Sequence, residues 1–213
     1  MSASLKYVLF HLPKTGGTSL FRAFRDWRGK GACQQFRREE LPESLGSIGP
    51  NTEAINGHFD YDDLAERLDL DALQLITFLR DPVERVVSNY YFFLKTLREP
   101  KPHRREEALA NQHRLKESLL EYAEKNQNRM AERLRGAQPE DFAFIGDLSR
   151  MDADLNALAK KFGFPQRPTA PRRNVGHYAP PSSAEWDQIA AWNQEDLELY
   201  RHWTDAARKI NLS

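Results

Sequence analysis

With 213 residues, 40% of them hydrophobic and 29% charged, the chain has a globular composition and enough length to bury a sizeable core, which excludes an intrinsically disordered protein. Lys plus Arg equals Asp plus Glu at 31 each, so no whole-molecule basic field marks a nucleic-acid partner and any anion site has to be local. The single cysteine, Cys33, excludes an intramolecular disulfide; with no apolar run of the roughly 18 residues a membrane helix needs and no signal-peptide core after Met1, a cytoplasmic protein without membrane insertion is expected.

Tyr7 to Phe10 is a short apolar run rich in strand formers and bounded by a Pro and Gly cluster, which predicts a buried strand. After His11-Leu12-Pro13-Lys14-Thr15-Gly16-Gly17, the residues Leu20, Phe21, Phe24 and Trp27 recur at helical spacing, so an amphipathic helix follows. Ala54-Ile55-Asn56 reads as the end of a second strand, leading into Gly57-His58-Phe59 and a short helix capped by Asp62. Leu73 to Leu79 is a further strand. It stops at Arg80, and Asp81 as N-cap, Pro82 at the first helical position and Glu84 at the third start the next helix, which carries Val86, Val87, Tyr90 and Tyr91.

Pro100 and Pro102 break that helix, and a charged, mostly helical excursion from the sheet is expected over about 98–136. Phe142 to Ile145 predicts another strand and Asp152 to Phe162 a helix. Arg167 to Pro181 is a Pro-rich loop, and two closing helices containing Trp186, Trp192, Leu197 and Tyr200 follow. No internal repeat interrupts this order. The pattern predicts an α/β fold of three layers, P-loop-like, with a mainly parallel central sheet flanked by helices, and one domain over 1–213.

A glycine turn between a buried strand and a helix start presents free backbone N–H groups and the positive end of a helix dipole, a ready anion site. Lys14 adds an ammonium, and Thr18 and Ser19 add hydroxyls. The Walker arrangement puts its lysine after the last glycine; here Lys14 precedes both, so that match fails. His58 follows a strand end and has an intrinsic pKa near neutrality, which suits a general base. His11, at the mouth of the glycine turn, is the competing histidine. No His/Cys/Asp cluster calls for a metal.

His11-Leu12-Pro13-Lys14-Thr15-Gly16-Gly17-Thr18-Ser19 resembles the 5′-phosphosulfate loop of the carbohydrate sulfotransferase superfamily, near its heparan sulfate 2-O-sulfotransferase branch. Leu79-Arg80-Asp81-Pro82-Val83-Glu84-Arg85-Val86-Val87-Ser88 is similar to that family's 3′-phosphate motif. The resemblance implies transfer of a sulfuryl group from 3′-phosphoadenosine-5′-phosphosulfate (PAPS) to a hydroxyl acceptor, a carbohydrate, with 3′,5′-adenosine bisphosphate as the other product. It implies that Lys14, Thr15, Gly16, Gly17, Thr18 and Ser19 hold the phosphosulfate, that Arg80 and Ser88 hold the 3′-phosphate, and that the Gly57-His58 pair supplies the catalytic base, with Lys14 stabilising the leaving oxygen. Arg173, in Arg172-Arg173-Asn174-Val175-Gly176, is similar to a late loop that closes over the donor, and Asn128 and Arg133 to a segment on the acceptor side. The chain departs from the animal Golgi enzymes in being short and without an anchor or disulfide, which points to a compact microbial member. The alternatives are a P-loop nucleotide kinase or NTPase, against which Lys14, Arg80 and Ser88 argue, and a non-enzymatic nucleotide-binding protein.

Overall fold

The computed structural model describes residues 5–36, 48–165 and 179–212. Five strands form its centre: β1 (Tyr7–Phe10), β2 (Cys33–Phe36), β3 (Ala54–Gly57), β4 (Gln74–Leu79) and β5 (Phe142–Asp147), in the order β2-β3-β1-β4-β5. Every pairing is parallel, as expected for strands that read as continuous apolar runs buried on both faces. β1 sits in the middle, Val8 opposite Ile55 of β3 and Leu75 of β4. The chain therefore moves outward from β1 in both directions, and the crevice at the carboxyl end of β1 is the topological switch point of the sheet.

Alternation along the strands divides the core in two. Val8, Phe10, Ile55, Leu75, Leu79 and Ile145 face one layer, built with Leu64 of α2 (Tyr61–Arg67), Met130 of α6 (Arg129–Arg133) and Trp203 of α9 (Gln194–Ile210). Leu9, Ile76, Phe78 and Phe144 face the other, against Leu20 and Phe24 of α1 (Gly17–Arg28) and Leu155 and Leu158 of α7 (Met151–Lys161). The result is the expected three-layer α/β architecture. Among the described residues no helix is long and apolar enough to cross a membrane, and no group of three or more His, Cys, Asp or Glu could hold a metal ion.

Helix α3 (Pro82–Arg98) starts as its sequence predicts: Glu84 N–H donates to the Asp81 carboxylate at 3.0 Å and Pro82 takes the first position. Beyond it, the stretch expected to be mostly helical holds α4 (Arg105–Ala110), α5 (Leu119–Glu124) and α6, joined by 3-10 turns and irregular chain. Apolar positions there are too sparse for a continuous stripe, so each piece is fixed by what it packs on. Val83, Val86 and Val87 of α3 meet Leu119 and Ala123 of α5 and Ile189 of α8 (Ser183–Trp192).

One buried ion pair ties these helices together. Arg85 of α3, 1% exposed, reaches Asp196 of α9, 0% exposed, at 3.4 Å. The same carboxylate accepts the N–H groups of Met130 at 2.9 Å and Ala131 at 2.8 Å, closing the first turn of α6. Asn128 joins the network: its N–H donates to Asn193 Oδ1, and its own side-chain oxygen accepts the N–H of Asp196. Sequence reading found neither role, nor strand β2, whose Gln34 and Gln35 give it no apolar pattern. It placed the cap of α2 at Asp62, whereas Asp60 holds the N-cap position and Asp62 lies in the first turn.

Candidate active site

The turn after β1 is built to be tight. His11 N–H donates to the Gly57 carbonyl at 3.0 Å, so β1 and β3 stay in step one residue past the strand end. Thr15 is buried and donates its hydroxyl to Leu12 O at 2.9 Å, which fastens the loop to itself. Lys14 and Gly16 both adopt positive φ, 68° and 96°. Gly16 also has no space for a side chain, since a Cβ there would lie 2.3 Å from the Met151 methyl. At Gly17 a Cβ would fall 1.9 Å from the His11 ring. No side chain caps α1, and among the described residues no backbone acceptor takes the N–H groups of Gly16, Gly17 or Thr18. Free amides of successive residues at a twelve-residue helix start form an anion-binding concavity.

Two cations converge on it. Arg80, leaving the end of β4, donates through Nη1 to Lys14 O at 3.4 Å and through Nε to Glu84 at 3.2 Å. Lys14 Nζ lies 4.2 Å from the centroid of the Phe92 ring on α3. Burial pushes the Lys14 ammonium below its ordinary pKa, and the Arg80 guanidinium adds to that. Two positive groups held this close, with no carboxylate on Lys14 among the described residues, are the arrangement of an anion site. Ser88 is half-buried on α3, one turn beyond Glu84 on the same face. Thr18 is exposed and Ser19 half-buried beside the turn.

His58 stands next to this loop. Its Nδ1 is 2.7 Å from His11 O, and the rings of His58 and His11 lie 4.3 Å apart, tilted by 35°. A carbonyl oxygen only accepts, so Nδ1 carries the hydrogen and Nε2 of the neutral ring is left with a free lone pair. Partial removal from water pushes the His58 pKa below its ordinary 6.5. The carbonyl bond works against this shift, and the charges of Arg133 and Arg104 add to it. Burial, followed by the nearby His58 and Lys14, pushes His11 down to about 3, so it is neutral throughout the physiological range. Its Nδ1 is buried and has no hydrogen-bond partner among the described residues.

The backbone after β3 is held from below. Arg133 Nη1 donates to His58 O at 3.1 Å and to the Asp60 carboxylate at 2.8 Å. Neither this clamp nor the His11 carbonyl bond could be read from sequence, because both join segments distant in the chain. Lys14, Arg80 and His58 are thus brought together around the glycine turn. His103, His113 and His202 are exposed, and Arg173 lies outside the described residues.

Residues 1–191 match the model of the sulfotransferase family. Among solved structures, a sulfotransferase from Alicyclobacillus acidocaldarius is similar over 94% of this chain and 97% of its own, at 14% identity and a TM-score of 0.50. The mouse sulfotransferase SULT7A1, complexed with PAP, is similar over 89% of this chain and 63% of its own, at 16% identity and a TM-score of 0.45. No curated protein matches.

Proposed function

The chain belongs to the sulfotransferase family, and from that premise we propose that it transfers a sulfuryl group from PAPS to a carbohydrate hydroxyl, with His58 as general base. Convergence of Lys14 and Arg80 on an uncapped glycine turn carries this assignment, since these residues fit a phosphorylated, strongly anionic donor. The resemblance of the two sequence motifs supports a heparan sulfate 2-O-sulfotransferase-like branch. Packing of α5 and α8 on α3 supports one domain over 1–213 with an excursion at about 98–136. The lone cysteine, Cys33, supports a reducing compartment such as the cytoplasm.

In this scheme Lys14, the amides of Thr15 to Thr18 and the hydroxyls of Thr18 and Ser19 hold the phosphosulfate, while Arg80 and Ser88 hold the 3′-phosphate. Arg173 is assigned to the donor from the family resemblance alone. When bound, PAPS supplies the sulfuryl group: a bond forms from the acceptor oxygen to sulfur as the bond from sulfur to the bridging phosphate oxygen breaks, and that oxygen keeps the electron pair. His58 Nε2 takes the proton from the acceptor hydroxyl, and the His11 carbonyl keeps the ring in the tautomer able to do so. Lys14 offsets negative charge at the turn as it develops. His11, neutral and packed on Gly17, acts as a positioning residue.

Titration calorimetry of 3′,5′-adenosine bisphosphate against ADP, at matched ionic strength, tests the donor assignment. The bisphosphate should bind clearly tighter, and Arg80→Ala should weaken it by about 10- to 100-fold, the worth of a charge-assisted hydrogen bond, with little change for ADP. Equal or weaker binding of the bisphosphate in the wild type would refute the assignment. The pH profile tests the base. Protonated His58 cannot accept a proton, so kcat/KM should fall as pH drops through a midpoint below 6.5 and stay level through neutrality. An acid-side midpoint above 7 would exclude His58 as the titrating group.

A further inference from the structure

Resting on the sulfuryl-transfer assignment, we infer that the cleft between α3, α4 and α5 is the acceptor site and that it selects an uncharged, hydroxyl-rich ring, such as a saccharide unit, over a polyanion or a simple phenol. The cleft is a cavity of about 310 Å³, at the lower end of the range for small-molecule sites. It adjoins the reacting groups through Phe92, which lines it and also lies under Lys14 Nζ.

The walls suit a polyol. Phe92, 48% exposed, offers a flat apolar surface to the C–H face of a sugar ring. Around it the polar groups are mixed. Asn89 donates to the Tyr122 hydroxyl at 2.7 Å and Asn111 to Glu107 O at 2.8 Å, and neither amide oxygen has a donor among the described residues, so both can accept from hydroxyls. A phenol would meet too many unsatisfied polar groups.

The charges balance. Arg114 is held bidentate by Glu117 at 3.0 and 3.1 Å and stacked on Phe93, so its charge is already neutralised. Arg104 and Glu107 line the cleft one helical turn apart with opposite signs, and neither has an ion-pair partner among the described residues. A polyanion would gain one free cation and confront one free carboxylate. Hydroxyls can use both.

The test is transfer of labelled sulfuryl from PAPS by the full chain to a panel of uncharged mono- and disaccharides, to heparin and to 4-nitrophenol. Bisphosphate affinity is measured in parallel on every variant. At least one uncharged saccharide should exceed heparin and 4-nitrophenol in kcat/KM by about tenfold or more. Thr96→Trp, which fills the cleft, should raise the acceptor KM by about tenfold with bisphosphate affinity held within about twofold, the retained affinity reporting an intact fold. Glu107→Lys should move the preference toward heparin by about tenfold. Labelling of no saccharide, a preference for heparin or the phenol, or an unchanged KM in Thr96→Trp would overturn the inference while leaving the donor site standing. Failure of the wild-type chain to bind the bisphosphate would instead bring down the sulfuryl-transfer assignment, and this inference with it.

Discussion

Replacing His58 with alanine is expected to lower kcat by about 10²-fold or more, the usual worth of a positioned general base, with little change in affinity for 3′,5′-adenosine bisphosphate. The separation follows from the geometry. His58 hangs from the end of β3 and touches the donor loop through the His11 carbonyl, whereas the anion-binding amides belong to the turn after β1. Because the two imidazoles pack together and His11 packs on Gly17, alanine could loosen the turn itself. His58→Asn separates the effects, since its amide can still donate to His11 O but has no basic nitrogen. It should restore binding geometry without restoring turnover. Steady-state kinetics with calorimetry on both variants decides the matter, and wild-type kcat in either would remove His58 from the role.

Arg85→Ala should cost about 3–5 kcal/mol of stability, the penalty of leaving one partner of a buried ion pair uncompensated. For a chain of this length that is a fall in Tm of roughly 6–20 °C by scanning calorimetry. The size of the effect comes from Asp196, which would stay buried with its charge while still holding the first turn of α6. Arg85 also lies inside the motif that resembles a 3′-phosphate site, yet its side chain turns away from that site into the helical layer. Its loss should therefore appear in the melt before it appears in nucleotide affinity. A Tm within about 2 °C of wild type would show that the pair is not what joins α3 to α9.

Much of this was legible in the sequence because the informative residues are adjacent in the chain. Tyr7 to Trp27 spells strand, glycine turn and helix without interruption, and Asp81, Pro82 and Glu84 announce a helix start that the structure reproduces. His58 was readable as a candidate because it follows a strand end beside a glycine. Where meaning depends on a distant partner, sequence was silent. The tautomer of His58 rests on a carbonyl 47 residues away, and the clamp from Arg133 on a contact across 75. β2 escaped because an edge strand of four residues, two of them glutamine, buries too little to show a pattern. The proposed acceptor cleft joins side chains of α3 to others in the charged stretch beyond it, a juxtaposition that no local motif announces.

The central place of β1 bears on how the protein comes into being. A strand bordered by β3 and β4 cannot complete its hydrogen bonding until its β4 partners Gln74 to Thr77 have been synthesised, although it precedes both neighbours in the chain. Until residue 57 has emerged Val8, Leu9 and Phe10 have no strand to pair with, and until β4 follows one edge of β1 stays open. Parallel pairing over such separations is slow to form and leaves apolar edges uncovered while it does. The turn after β1 is thus among the later features of the fold to be set.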